Sequence, residues 1–134
     1  MRDCAFCRED EFQDMIHREA VRSLRSGTSA LLLLVDVSAW GSTEITRKIA
    51  SVLSSTTREI DLKGWYVDDA IVGIFFSELG RMQNAVDAAG KAIIARMHRR
   101  FLKILNDEDV LRIKMTSYPL SRDAVSSIAQ KAGR

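Results

Sequence analysis

The sequence predicts an α+β fold, a ferredoxin-like β-α-β-β-α-β core with flanking N- and C-terminal helices. Three observations predict it. The run ALLLLVDV, Ala30–Val37, is almost wholly apolar and short, which reads as a strand buried on both faces. Two more apolar runs, Ile60–Val67 and Ala70–Phe76, are joined only by Asp68-Asp69 and read as a hairpin. Stretches with apolar residues at helical spacing alternate with these strands.

Taken in order, Phe12, Met15, Ile16, Ala20 and Leu24 recur at steps of three and four, predicting a helix over Glu11–Arg25 that Gly27 ends. After the buried strand, Ser42 or Thr43 can cap a helix that turns Ile45, Ile49, Val52 and Leu53 inward. Arg81–Leu105 is the longest helix, with Ala85, Val86, Ala89, Ile93, Met97, Phe101 and Leu105 as its core stripe, and Asn106-Asp107-Glu108-Asp109 ends it. Leu111–Tyr118 alternates Leu, Ile and Met against Arg, Lys and Thr, a half-exposed strand. Ser121–Lys131 closes the chain as a short helix. In this topology the first and third strands lie side by side at the sheet centre. The end of the first strand then lies beside the hairpin tip.

A chain of 134 residues fits one domain, expected to span 1–134 with residues 1–10 mobile. Net charge is +2, from 20 Lys+Arg against 18 Asp+Glu, which does not argue for nucleic acid. The run Ala30–Val35 is far short of the ~20 apolar residues that span a membrane. The acidic start MRDCAFCREDEF lacks the apolar core of a signal peptide, so the default expectation is a cytoplasmic protein without membrane insertion. Cys4 and Cys7 form one C-x-x-C with only His17 nearby, short of a zinc ligand set, and are expected to be two reduced thiols.

Asp36 closes the buried strand, and Asp68 and Asp69 occupy the neighbouring turn. Three carboxylates converging from two strands can hold Mg²⁺, a hard ion that takes oxygen ligands and keeps waters for phosphate oxygens. Such a site would support phosphoryl or nucleotidyl transfer. The same residues also suit a polar hairpin turn and a strand-end acid.

The run ALLLLVDVSAW resembles the first strand of GGDEF-type diguanylate cyclase domains, which have a nucleotidyl cyclase-like fold. SSTTREIDLKGWYVDDAIVGIFF resembles the family's next landmark, and LRIKMTSY its later strand. On this likeness Tyr66-Val67-Asp68-Asp69-Ala70 takes the signature position, with Asp68 and Asp69 on its acidic residues. The resemblance implies Mg²⁺ ligands at Asp36, Asp68 and Asp69, a guanine nucleotide as the ligand, and Trp40, Tyr66 and Val67 lining the cleft. Trp40 there could be a stacking platform or a plug.

The departures are specific. Tyr66 and Val67 stand where the family has two glycines that let the backbone approach the nucleotide. The segment between Asp36 and the next helix is short and carries no Asn or Asp. Arg58-Glu-Ile-Asp61 only approximates the family's regulatory Arg-x-x-Asp. The implied function is a degenerate, non-catalytic GGDEF-like signalling module, a regulatory domain acting through a protein partner, self-association or residual nucleotide binding. The alternatives are an Mg-dependent nucleotidyl-transfer enzyme using Asp36, Asp68 and Asp69, and a small interaction domain unrelated to nucleotides. No catalytic residue is singled out. No cofactor is expected for the first reading, and Mg²⁺ with a guanine nucleotide for the second.

Arg96, Arg99, Arg100 and Lys103 cluster on the long helix, and Arg96, Arg100 and Lys103 share a face; a solvated face is the expectation. His98 has no nucleophile or acid at catalytic spacing.

Overall fold

The computed structural model describes residues 7–38, 43–57, 61–77 and 83–120. In order these form α1 (Glu9–Ser26), β1 (Leu31–Asp36), α2 (Thr43–Thr56), β2 (Leu62–Val67), β3 (Ile71–Phe76), α3 (Gln83–Ile104), α4 (Asp107–Leu111) and β4 (Lys114–Pro119). The helix expected over Ser121–Lys131 lies outside the described residues.

The strands make one antiparallel sheet in the order β2-β3-β1-β4, with β1 and β3 central as the hydrophobic runs predicted. A central strand meets side chains on both faces, and β1 uses its apolar residues accordingly. Leu31, Leu33 and Val35 pair with Phe76, Ile74 and Val72 and face the helix layer. There they meet Ile49 and Leu53 of α2 and Met97 and Phe101 of α3, all fully buried. Leu32, opposite Phe75, faces the other way and joins Phe12, Ile16, Ala20 and Tyr66 in a second, smaller core under α1. Among the described residues, the cover that the doubly apolar strands require on that face is α1.

The second core rests on a glycine pair. Gly64 and Gly73 are cross-strand partners, and a Cβ added to either would come within 2.6 Å or 2.5 Å of the Phe12 ring. The two missing side chains leave the slot that the ring fills, so α1 can lie close to the sheet. At its far end α1 stops at Gly27, whose φ of 76° is the left-handed conformation favoured for glycine after a helix.

Two boundaries differ from the sequence reading. Asn106 accepts a hydrogen bond from the Asp109 amide at 2.8 Å and so caps a new one-turn helix, with three acids in its first turn. The polar run that ends α3 thus also starts α4. In consequence β4 begins at Lys114, and Leu111 is left 80% exposed. The chain just before α1 is tied to the sheet. Cys7 forms a parallel bridge to Gly64 and accepts a hydrogen bond from the Trp65 amide at 2.8 Å, which covers part of the outer edge of β2. Cys7 is disulfide-bonded, not the reduced thiol expected. Whether two thiols join depends on backbone geometry, which spacing alone does not express.

Candidate functional site

The hairpin tip is built by a bulge and a turn. Trp65 pairs with Val72 and Val67 with Ile71, so Tyr66 is the extra residue in β2. Trp65 packs at the rim of the helix-side core and Tyr66 is buried in the core under α1. The Gln13 side-chain amide donates to the Tyr66 carbonyl at 2.6 Å, satisfying a backbone group that the bulge takes out of the ladder. Val67 accepts from the Ala70 amide at 3.0 Å, closing a four-residue turn over Asp68 and Asp69. Asp69 has φ 62°, a left-handed position that Asp tolerates better than most residues.

The turn is joined to β1 as the topology predicted. Asp36 pairs with Ile71, and the Val37 amide donates to the Ala70 carbonyl at 2.8 Å. The Asp36 carboxylate accepts hydrogen bonds at one oxygen from the Ser38 amide at 2.9 Å and the Ser38 hydroxyl at 2.6 Å. These bonds, aided by the Lys114 charge on the adjoining strand, hold its pKa below the ordinary carboxylate value against a small opposing effect of burial.

Asp68 is placed differently. Its Oδ2 pairs with Arg8 at 3.0 Å, and its Oδ1 accepts from the Glu9 amide at 2.9 Å. The Asp68 amide in turn donates to Glu9 Oε1 at 3.0 Å. Arg8, the residue before α1, makes no side-chain cap of its own, so Asp68 caps that helix from the hairpin. Asp69 is exposed, and its carboxylate has no partner among the described residues.

The sequence-predicted residues are thus brought to one end of the sheet, in three different roles. Asp36 is bound to its own turn, Asp68 to α1, and Asp69 faces solvent. Among the described residues no three Asp, Glu, His or Cys side chains are grouped to hold a metal ion. Tyr66 belongs to the core, Val67 is 38% exposed at the turn, and Trp40 lies outside the described residues. Sequence reasoning missed Arg8 and Glu9, which meet Asp68 across about sixty residues of chain; no local pattern announces such a contact. Of the basic cluster on α3, Arg99, Arg100 and Lys103 are exposed, while Arg96 donates to the Thr56 carbonyl at 3.3 Å. Arg96 also lines a cavity of about 360 Å³ with Thr57, Asp61, Phe76 and Ile93.

No family model matches the sequence, and no curated protein matches it. Solved structures do match. A DGC protein from Thermotoga maritima superposes with a TM-score of 0.66 at 16% identity, over 94% of this chain and 95% of that one. The GGDEF domain of DgcB from Caulobacter crescentus, in complex with c-di-GMP, gives 0.67 at 16% identity, over 99% and 88%. The coiled coil and GGDEF domain of DgcB, also with c-di-GMP, gives 0.64 at 16% identity, over 96% and 73%. The chain has the GGDEF-type fold, and at this identity the likeness is one of fold. Among the described residues no helix is long and apolar enough to cross a membrane.

Proposed function

We propose that this chain is a single GGDEF-like domain over residues 1–134 that works in the cytoplasm as a non-catalytic signalling module. It regulates a protein partner, or a second copy of itself, with residual nucleotide binding as a further means. The observation that carries this reading is the engagement of Asp68, one carboxylate of the signature position. Both its oxygens are taken by Arg8 and Glu9 in the act of capping α1. A metal ion at Asp68 would compete with an ion pair and a helix cap for the same two oxygens. Val67, 38% exposed at the turn, supports the same reading, because a side chain stands where the family has a glycine that lets a nucleotide approach the backbone.

The test is to incubate the purified protein with GTP and Mg²⁺ and to analyse the products by chromatography. No cyclic dinucleotide is expected; its formation at a rate proportional to protein overturns the proposal. Titration calorimetry with guanine nucleotides and c-di-GMP separates nucleotide binding from purely protein-mediated action.

A second reading, Mg-dependent nucleotidyl transfer, is favoured by two facts. Asp69 is exposed and unpaired among the described residues, and the hydrogen-bonded Asp36 belongs to the strand end beside it. It requires that nucleotide binding depend on Mg²⁺ and be lost in Asp69→Ala.

A further inference from the structure

Cys7 adds a covalent bond to the packing that fixes the start of α1. It is disulfide-bonded, and the chain has two cysteines, Cys4 and Cys7, so within one chain the bond closes the C-x-x-C. We propose that this disulfide is a thiol–disulfide exchange site, and that a dithiol reductant acting on it releases the start of α1 from the hairpin.

A disulfide stabilises chiefly by constraining the unfolded chain, and the gain grows with the loop that it closes. A bond between cysteines only three positions apart closes a very small loop, so it is a weak staple. The C-x-x-C spacing is instead that of dithiol redox sites, which follow a strand and open a helix. The structure supplies that context. Cys7 forms a β-bridge to Gly64, and α1 begins at Glu9.

The bond sits where it can control other contacts. Cys7 is 2% exposed, and its Sγ lies 3.8 Å from Met15 Sδ in the core under α1. Its carbonyl accepts from the Trp65 amide at the edge of β2. The next residues, Arg8 and Glu9, engage both oxygens of Asp68. One short segment therefore carries the disulfide, the edge bridge and the Asp68 cap in succession. The Arg8 side chain is 70% exposed, and a surface ion pair contributes little by itself. Whether the segment stays docked thus depends on how tightly Cys7 is held.

Burial of Cys7 directs attack to the other sulfur. A thiolate of the reductant bonds to the Cys4 sulfur, the Cys4–Cys7 bond breaks, and Cys7 leaves as a thiolate that takes up a proton. The reductant's second thiolate then attacks the mixed disulfide and releases Cys4, which is protonated in turn. The protein disulfide gains two electrons and two protons, and the dithiol becomes a disulfide. If the bond favours the docked segment, the docked segment favours the bond by the same factor.

The test uses the full chain with its disulfide intact, equilibrated in dithiothreitol buffers of defined redox ratio. Thiols are counted by alkylation and mass spectrometry, and amide hydrogen exchange is followed by NMR. Reversible reduction with the fold retained is expected. Exchange at the Trp65 and Glu9 amides should quicken about tenfold, while the Leu33 and Val35 amides of β1 stay protected. Cys4→Ser, which leaves Cys7 in the core, should show the fast rates without reductant. Asp68→Ala should ease reduction about fivefold, moving the midpoint by about 20 mV to a less negative value. The proposal is overturned by exchange rates that reduction leaves unchanged, by Cys4→Ser keeping the slow rates, or by a midpoint indifferent to Asp68→Ala. Global unfolding on reduction would also overturn it, since the bond would then be a structural staple.

Discussion

Glu9 and Asp68 exchange two hydrogen bonds, each side chain accepting from the other residue's amide at 2.9–3.0 Å. Within one helix, such a reciprocal exchange is a capping box; here its halves are 59 residues apart. The start of α1 and the turn of the hairpin therefore stabilise one another.

Replacing Asp68 tests that coupling. Asp68→Ala should lower stability by about 1 kcal/mol in denaturant unfolding, the usual cost of losing a helix cap. Asp68→Asn should retain most of it, because Asn caps as well as Asp. Arg8→Ala should have a smaller effect, since Arg8 is 70% exposed and surface ion pairs contribute little. Hydrogen exchange at the Glu9 amide should quicken in Asp68→Ala; unchanged exchange there would show that the cap is not formed in solution.

Phe12 and Gly73 should behave as one unit. Gly73→Ala places a methyl group against the ring and should cost about 1–3 kcal/mol through overpacking. Phe12→Ala should cost about 3–5 kcal/mol through the cavity it leaves. In the double variant the new methyl no longer clashes, so the loss should be less than the sum of the two. Strict additivity in a double-mutant cycle would mean that the glycine pair does not make room for the ring.

The Asp36 carboxyl should titrate below the ordinary value, in a window that follows from its hydrogen bonds. A carboxylate whose pKa is depressed on folding contributes stability that is full above its unfolded pKa of about 3.9 and lost as pH falls through the folded value. NMR titration of the carboxyl carbon should give a midpoint below that of a model aspartate. Ser38→Ala removes the hydroxyl donor, the largest cause, and should raise it. A midpoint unmoved by Ser38→Ala would assign the shift to the Ser38 amide and the Lys114 charge instead of the hydroxyl.

Asp69 occupies its left-handed position without a side-chain partner among the described residues. Asp69→Val should destabilise by about 1–2 kcal/mol, because branching at Cβ is poorly accommodated there. Asp69→Asn should be close to neutral in thermal unfolding. Equal stability of the Val and Asn variants would show that the turn changes conformation in solution.

Much of the fold was legible because burial writes itself into composition. ALLLLVDV reads as a strand buried on both faces and is the central β1, and the spacing from Val86 to Leu105 reads as a helix with one inward face and is α3. The hairpin was legible for the same reason, as two apolar runs with no room between them for anything but a turn. Asn106–Asp109 was read as a stop and serves as a start, since a capping residue signals a helix boundary without saying on which side the helix lies.

At the hairpin tip, sequence by itself determined which residues arrive: Asp36 at a strand end, and Asp68 and Asp69 on the turn beside it. Only the tertiary structure decided what each carboxylate does. Asp36 accepts from its own turn, Asp68 caps a helix that starts 59 residues earlier in the chain, and Asp69 faces solvent. Tyr66 likewise reads as a bulky residue at a turn until the bulge sends it into the core beneath α1. Strand and helix periodicity are local properties of the chain, whereas a hydrogen bond across about sixty residues is set by how the packed layers align, which the Phe12 slot between Gly64 and Gly73 controls.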